Sequence, residues 1–322
     1  QRGEKAGYVG TFMKQLKEIA NTCAEKNIKI VSNAGGLNPK SMAEDVEEML
    51  KAMSLDLKVA YIDGDDLMPR LDELKSSGEK LNNIDTGEGF FEQNMPPLSA
   101  NAYLGCWAIK EALDQGADIV ICPRVTDAAV VMGPAAWKYD WNKNDFNKLA
   151  GALAAGHIIE CGAQATGGNY SFFHEVPTFE NIGYPIAEIK EDGSFYITKH
   201  ENTGGLVSTG TVTAQLLYEI SSPDYLNPDV ISHFDTLKIE EVGKDRVYIS
   251  GTKGSPPPPT HKVCINLSAG YKNGMELIVT GLDIPEKVKI FTDELFRSLG
   301  GKEQFDDVSI QLYRTDKKNP ET

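Results

Sequence analysis

The stretch Ile28-Lys29-Ile30-Val31-Ser32-Asn33-Ala34-Gly35-Gly36-Leu37-Asn38 is a short β-rich run that leads directly into a glycine loop. A helix is predicted to begin at Ser41, because the run Ser41-Met42-Ala43-Glu44 matches a capping box. A second β-rich run follows over 57–62. Strand, loop, helix and strand within about 35 residues form a βαβ unit, which requires parallel strands.

The same alternation continues to about residue 180. Helical periodicity is present over 9–26 and is predicted again over 100–115, 128–137 and 144–164, with a very apolar strand over 117–122. We therefore predict an α/β fold, with a mainly parallel sheet and flanking helices, for residues 1–180.

The pattern changes in residues 181–322. Two hairpins are predicted, over 186–199 around an Asp-Gly turn and over 237–250, and they indicate an α+β region. Further strands are expected at 262–267, 276–280 and 308–313, and a helix at 286–299 that ends at Gly300-Gly301. We expect this region to pack on the α/β core as part of one domain.

Charge and cysteine usage exclude several classes of protein. The formal net charge of −15 argues against binding to nucleic acid or to an anionic membrane surface, since both require clustered Lys and Arg. Five scattered cysteines without C-x-x-C spacing indicate a reducing compartment, and so a cytoplasmic protein, rather than a disulfide framework or a zinc cluster. Because residue 1 is Gln, a targeting segment ahead of it stays open.

Three Gly-Gly pairs flanked by Asn or Thr follow predicted strands or helices. Glycine allows close approach of another group to the backbone, and Asn and Thr supply neutral hydrogen bonds, so these loops are suited to holding a polar ligand. We expect the three loops to converge on one site. The predicted ligand-binding residues are Asn33, Gly35, Gly36, Asn38, Thr166, Gly167, Gly168, Asn169, Thr203, Gly204 and Gly205.

A densely polar segment offers a candidate acid/base group. In a continuous helix His157, Glu160, Cys161 and Gln164 share one face, which would give a general acid/base histidine with a carboxylate to fix its tautomer. A structural His-Glu pair is the alternative. A metal site is not predicted, because one helix supplies only two plausible ligands.

Two further segments add candidate catalytic residues. Arg124 and Asp127 follow the apolar strand, where open α/β sheets place ligands, although Asp127 is equally suited to cap the next helix and Arg124 to form a structural ion pair. His200 lies at a strand end beside the third glycine loop, whose N–H groups could hold an oxyanion, and a simple tight turn is the alternative there. No cofactor is predicted, since no Walker loop, G-x-G-x-x-G, G-x-S-x-G or H-E-x-x-H motif occurs.

Long motifs make the chain resemble the acyclic terpene utilisation (AtuA) family. They are SNAGGLNP at 32–39, GADIVICPRVTDAA at 116–129, AGHIIECGAQATGGN at 155–169, GYPIAEI at 183–189 and DGSFYITKHENTGGLVSTGTVTAQLLYEI at 192–220. Similar family members begin with another strand and a glycine-rich segment, and many continue into a ferredoxin-like C-terminal domain. The resemblance therefore implies that this chain corresponds to the family's core region.

The resemblance implies a role in the breakdown of acyclic terpenoids such as citronellol and geraniol through CoA thioesters. We expect a catabolic enzyme of terpenoid, branched-chain acyl-CoA or hydroxy-acid breakdown, of the lyase or hydratase type, with His157 or His200 moving a proton and a small-molecule acyl-CoA as substrate. A non-catalytic binding or assembly subunit, acting as a homo-oligomer or with a partner subunit, is the alternative. A metal-dependent enzyme is a third hypothesis.

Overall fold

The computed structural model describes residues 6–93 and 95–313. The chain divides into two compact units, Gln1–Ser268 and Ala269–Thr322. The change of pattern near residue 180 lies within the first unit, and its interpretation as a division of the fold stays a prediction.

The described helices are α1 (Gly10–Lys26), α2 (Pro39–Ala52), α3 (Leu71–Ser76), α4 (Trp107–Asp114), α5 (Ala129–Lys138), α6 (Phe146–Ile159), α7 (Thr209–Leu216) and α8 (Ile284–Ser298). The described strands are β1 (Ile30–Ser32), β2 (Val59–Tyr61), β3 (Pro97–Ala102), β4 (Ile119–Ile121), β5 (Pro185–Ile189), β6 (Phe195–Lys199), β7 (Asp224–Leu226), β8 (Ile231–His233), β9 (Lys238–Gly243), β10 (Arg246–Ser250), β11 (Lys253–Ser255) and β12 (Val263–Leu267).

A three-stranded parallel sheet forms the centre of the predicted α/β region. Its order is β1-β4-β2, so β4 lies between the two strands of the predicted βαβ unit, and both pairings are parallel as expected. Side chains alternate across β4. Ile119 and Ile121 pack with α1 and α2, whereas Val120 packs with α4 and α5. The loops that follow β1, β2 and β4 therefore leave from one edge of a sheet that is covered on both faces.

Antiparallel pairing is more extensive than the sequence predicts. The remaining sheets have the orders β5-β6-β10-β9, β11-β8-β7 and β12-β3, and all their pairings are antiparallel. The prediction of a mainly parallel sheet is therefore right only for three short strands. Both predicted hairpins, over 186–199 and 237–250, are confirmed as β5-β6 and β9-β10.

Helix α6 is buried along most of its length because its side chains are small or apolar. It packs against α5 and α7 and against strands of two antiparallel sheets. The continuous helix predicted over 144–164 is wrong at its end. The helix ends at Ile159, and a 3₁₀ turn over Gly162–Thr166 follows, with Gly162 at φ 56°.

Two other predicted helix starts differ from the structure, one because of a distant side chain and one because of a neighbouring one. Residues 100–102 belong to β3 rather than to a helix. Helix α4 begins only at Trp107, where the Asp229 carboxylate accepts the Cys106 N–H at 2.8 Å. Helix α2 begins at Pro39, and the Asn38 side chain accepts the Ser41 N–H at 3.2 Å in place of the predicted capping box.

The unit that begins at Ala269 contains one long helix among its described residues. Helix α8 ends at a left-handed turn in which the Gly301 N–H donates to the Phe296 carbonyl at 2.8 Å, so the predicted end at Gly300-Gly301 is confirmed. The strands predicted over 276–280 and 308–313 are absent, since neither segment has regular strand structure.

Candidate functional site

The loops after β1 and β4 bring Asn33 and Asp127 together at the carboxyl edge of the parallel sheet. The Asn33 side-chain amide lies 3.4 Å from Asp127 Oδ1, and both residues are exposed. The Thr126 hydroxyl oxygen next to Asp127 is buried and makes no hydrogen bond among the described residues. This arrangement matches the location in which open α/β sheets bind ligands.

Arg124 lies in the same loop and is held by two neighbours. Its backbone N–H lies 3.4 Å from Asp65 Oδ2, and its guanidinium donates to the Tyr103 hydroxyl at 3.1 Å and stacks over that ring. The negative charge of Asp127 contributes to a raised pKa of Arg124, behind the larger contribution of the Tyr103 hydrogen bond. The guanidinium is therefore oriented and lies within electrostatic range of Asp127, and no direct ion pair of Arg124 is found among the described residues.

His157 reaches this region from the end of α6, but its ring is enclosed. The side chain is 1% exposed and contacts the rings of Tyr225 and Phe234, with centroid distances of 5.0 and 5.7 Å. Burial lowers the pKa of His157, and the backbone carbonyls of Leu216 and Gln215 only partly offset this effect. The imidazole is therefore neutral near pH 7.

Glu160 lies beside His157, at the C-terminal cap of α6. Its Oε1 is 3.5 Å from His157 Nδ1, and neither ring nitrogen has a hydrogen bond of good geometry among the described residues, although the Leu216 and Gln215 carbonyls lie close enough to raise the pKa of the ring. Because the imidazole is neutral, this contact is not an ion pair. The ring nitrogens and the adjacent carboxyl group are therefore polar groups inside the protein rather than on its surface.

The electrostatic surroundings of Glu160 are strongly acidic. Burial, followed by the negative charges of Asp127 and Glu219, raises the pKa of Glu160 to about 7. The same three carboxyl groups, after burial, raise the pKa of Tyr225 to about 12. We call Asp127, Glu160 and Glu219 the carboxylate cluster. We call this cluster, together with Asn33, Arg124, Thr126 and His157, the edge site.

Cys161 and Gln164 do not continue the polar face that the sequence predicts. Both follow the end of α6, where a 3₁₀ turn interrupts the helix, although Cys161 stays within electrostatic range of Glu160, Glu219 and Asp127. Burial and the Glu160 charge raise the pKa of the Cys161 thiol, so the thiol stays protonated and is a poor nucleophile. Gln164 accepts a long hydrogen bond, 3.5 Å, from the side chain of Asn169, which is exposed.

The second and third glycine loops contact each other directly. The Leu206 N–H donates to the Thr166 carbonyl at 2.8 Å, and a Cβ atom on Gly205 would lie only 2.6 Å from that oxygen. The N–H groups of Gly204 and Gly205 donate to Asn181 and Thr178. Within the second loop, Gly167 and Gly168 donate to Gln164 and Ala163. We call 166–168 together with 203–206 the glycine scaffold, because these N–H groups are already paired.

The first glycine loop packs against the end of β4, next to the edge site. A Cβ atom on Gly35 would lie 2.5 Å from the Cys122 carbonyl, so glycine lets this loop pass closely beside the end of β4. The Gly36 N–H donates to the Asn33 carbonyl at 3.2 Å. Asn38 caps α2 and donates to the Ala6 carbonyl at 3.0 Å, which gives it a structural role.

His200 lies apart from the edge site. Its side chain is exposed, and its backbone carbonyl accepts the Thr203 hydroxyl at 2.7 Å. The neighbouring Lys199 is only 5% exposed, pairs with Asp245 at 3.3 Å and donates to the Thr203 carbonyl at 3.0 Å. No contact joins the His200 ring to the carboxylate cluster in the described part of the chain.

Sequence reasoning did not identify Glu219 or Tyr225. Glu219 follows α7 with φ 58°, and Tyr225 lies on β7, so each reaches the edge site only through the fold. Neither residue has a spacing relative to Glu160 that marks it in the sequence.

Neither the cavities nor the metal-ligating side chains identify the candidate site. Two open cavities, of about 200 and 310 Å³, are lined by residues of 75–92 and by 144–148 with Gly254, and neither includes a member of the carboxylate cluster. Within residues 6–93 and 95–313, no group of three or more His, Cys, Asp or Glu side chains is arranged to hold a metal ion. We therefore locate the candidate site by its chemistry.

No helix among the described residues combines the length and apolar character needed to cross a bilayer.

Comparisons with known proteins identify the family. No curated protein and no solved structure matches the chain. The model of the family described as "Acyclic terpene utilisation family protein AtuA" matches residues 1–322. The chain therefore belongs to the AtuA family of acyclic terpene utilisation proteins.

Proposed function

We propose that this protein catalyses a proton transfer on an acyl substrate during acyclic terpenoid breakdown, with Glu160 as the acid/base group. The observation that carries the proposal is the partly buried Glu160 side chain, which lies 3.5 Å from His157 Nδ1 and within electrostatic range of Asp127 at the carboxyl edge of the parallel sheet. Family membership supplies the metabolic setting. The substrate class that we propose is a CoA thioester of a terpenoid, branched-chain or hydroxy acid.

Glu160 is better suited to carry the proton than His157. A carboxyl group with a pKa of about 7 is present in both protonation states near neutral pH, which allows it to accept and return a proton. The His157 ring is almost completely enclosed and neutral, so its role in this proposal is to position Glu160 at 3.5 Å. In a lyase or hydratase step, ionised Glu160 would remove the proton α to the thioester carbonyl. The β-hydroxyl group would then take that proton from Glu160 and leave as water, which forms the α,β double bond and restores the carboxylate.

Arg124 is the proposed anchor for an anionic group on the substrate. Its guanidinium is oriented by Tyr103 and retains donors for a carboxylate. The overall charge of −15 opposes the approach of an anion, so local cations must supply the attraction. Asn33 and Thr126 would contribute neutral hydrogen bonds at the same edge.

Deuterium exchange tests the proton-transfer step directly. The protein is incubated in D₂O with CoA thioesters of citronellic acid and of short branched-chain acids, and mass spectrometry follows incorporation at the α-carbon. We expect Glu160→Gln to slow exchange by roughly 10²- to 10⁴-fold, because it removes the proton acceptor without changing the side-chain size. Glu201→Gln is the matched control, since Glu201 is exposed in the turn beside His200. Equal exchange rates in wild type and Glu160→Gln would refute the proposal.

A non-catalytic binding or assembly subunit is the second candidate, and the glycine scaffold favours it. The paired N–H groups of 166–168 and 203–206 support packing rather than ligand binding. This candidate predicts no exchange on any thioester, and changes at the edge site that alter oligomeric state more than ligand affinity. Sedimentation of Arg124→Ala and Glu160→Gln beside the wild type separates the two functions.

A further inference from the structure

A second polar constellation lies on the sheet formed by β7, β8 and β11. Asp224 and His233 stand directly opposite each other on β7 and β8, and Ser255 on β11 is the diagonal neighbour of His233. His233 Nδ1 is 2.6 Å from Asp224 Oδ1, and His233 Nε2 is 3.0 Å from Ser255 Oγ. Each strand thus contributes one member of an Asp-His-Ser row.

The row occupies the sheet face that points away from α6. The opposite face packs on that helix, since Ser232 Oγ donates to the Ala150 carbonyl at 3.3 Å and a Cβ atom on Gly254 would lie 2.1 Å from the Phe146 carbonyl. Strand alternation places Asp224, His233 and Ser255 on the other face. The Asp224 and His233 side chains are 60% and 28% exposed, so a ligand can reach them.

The row is separate from the edge site. The residues next to it in the sequence, Tyr225 and Phe234, contact the His157 ring, whereas the Asp224 and His233 side chains contact each other and Ser255. The β7–β8 hairpin therefore presents one set of side chains to the edge site and another to the Asp-His-Ser row.

We propose that Ser255 is a nucleophile for activated carboxylic esters and thioesters, with His233 as its general base and Asp224 as the residue that orients the imidazole. The Asp224 carboxylate accepts the Nδ1 proton, which leaves Nε2 free to accept the proton of Ser255 Oγ. The three residues occur in the chain in the order Asp, His, Ser. Such a triad is identified by the geometry and roles of its members and not by their order in the sequence.

The chemical step balances without any cofactor. Ser255 Oγ forms a bond to the acyl carbon, its proton passes to His233 Nε2, and the alcohol or thiol leaves with that proton. Water then attacks the acyl-serine ester with His233 accepting its proton, which releases the carboxylic acid and restores Ser255. Ester or thioester and water are the only reactants.

The local backbone holds Ser255 and His233 in place. Thr236 Oγ1 donates to the His233 carbonyl at 2.6 Å and accepts the Lys253 N–H at 2.9 Å, which links the two strands beside the row. The run of prolines at 256–259 begins immediately after Ser255 and restricts the backbone there.

A fluorophosphonate probe tests the nucleophile. Such a probe forms a bond from serine Oγ to phosphorus with loss of fluoride, and peptide mass spectrometry locates the product. We expect labelling of Ser255 in the whole protein, loss of that label in Ser255→Ala, and labelling slowed by roughly 10²- to 10⁴-fold in His233→Ala. Asp224→Asn should also slow it. Ser268→Ala, which changes another exposed serine, should leave the rate unchanged.

The controls keep this test independent of folding and of the proposed function. Circular dichroism checks each variant, and His233→Gln, which retains a polar side chain but cannot act as base, replaces His233→Ala if the latter unfolds. In the Glu201→Gln variant, an exposed change, Ser255 should be labelled at the wild-type rate. The label is measured without any proton-transfer substrate, so failure at one site does not imply failure at the other. Folded wild-type protein without a label on Ser255, or equal labelling rates in wild type and the His233 variant, overturns the proposal.

Discussion

The edge site and the glycine scaffold have similar polar sequences but differ in how completely their buried polar atoms are hydrogen-bonded. In the scaffold, the N–H groups of Gly167, Gly168, Gly204 and Gly205 all donate to carbonyls of the same chain. In the edge site, both ring nitrogens of His157 and the Thr126 hydroxyl are buried without such partners in the part of the chain that the structure describes.

This difference separates glycine loops that build a fold from loops that frame chemistry. Buried polar atoms are nearly always paired in folded proteins, so a group of unpaired ones beside a carboxyl group requires an explanation such as a ligand. Gly-Gly with Asn or Thr does not reveal that state, because the partners come from distant segments. Substitutions in the two regions should therefore fail in different ways.

The largest expected effect on folding is in the scaffold. Gly205→Ala should lower the free energy of unfolding by about 2–4 kcal/mol, because the backbone has φ 83° and the new methyl group would meet the Thr166 carbonyl at 2.6 Å. Urea denaturation followed by circular dichroism measures this change.

Gly116→Ala is the matched control for that substitution. Gly116 has nearly the same φ, 85°, but nothing lies within 4 Å of the added methyl group. Only the backbone cost of about 1–2 kcal/mol applies there. Equal losses in the two variants would mean that the contact between the second and third glycine loops contributes nothing to stability.

In the edge site, removing a charge should increase stability. The folded-state pKa of Glu160 is raised from 4.5 to about 7, so between these pH values the folded protein retains a proton that the unfolded chain releases. Stability from this group is full below pH 4.5 and is lost as the pH rises towards 7. We expect Glu160→Gln to be more stable than wild type by about 1–2 kcal/mol at pH 8.

Paired urea denaturation curves at pH 5 and pH 8 measure this effect. The advantage of Glu160→Gln should be smaller at the lower pH, because pH 5 lies close to the unfolded-state pKa of 4.5, where the unfolded chain gains little by releasing the proton. Glu201→Gln, an exposed change of the same type, should show no such difference. A pH-independent advantage would contradict the raised pKa of Glu160.

Sequence patterns predicted what depends on neighbouring residues. The glycine loop after β1, the parallel direction of β1 and β2, and the two hairpins follow from local periodicity and turn residues. The position of Arg124 and Asp127 at the end of a buried strand was predictable for the same reason. That Asn33 lies beside Asp127 follows from parallel strands that end at one edge.

Long-range contacts account for what the sequence did not predict. Asp229 determines where α4 begins, although it lies more than a hundred residues away, and β3 forms because β12 pairs with it. The assignment of the proton to Glu160 rather than His157 depends on which side chain the fold encloses. Burial cannot be read from the spacing of two residues on one helix.

The smallest expected effect is the most specific to the carboxylate cluster. Glu219 is exposed, and its charge contributes to the raised pKa of Glu160 after burial and Asp127. Glu219→Gln should therefore lower the Glu160 pKa by less than about one unit, since the interaction passes through solvent. Asp127→Asn should lower the Glu160 pKa by more than Glu219→Gln does, because Asp127 has the larger effect on it. Titration of the Glu160 carboxyl carbon by ¹³C NMR measures both shifts.

Mobile ions screen a charge more strongly when it lies farther away. If Asp127 is the closer charge, 1 M salt should reduce the effect of Glu219 on the Glu160 pKa more than the effect of Asp127. An unchanged Glu160 pKa in both variants would mean that burial alone sets it, and the carboxylate cluster would then not act as a unit.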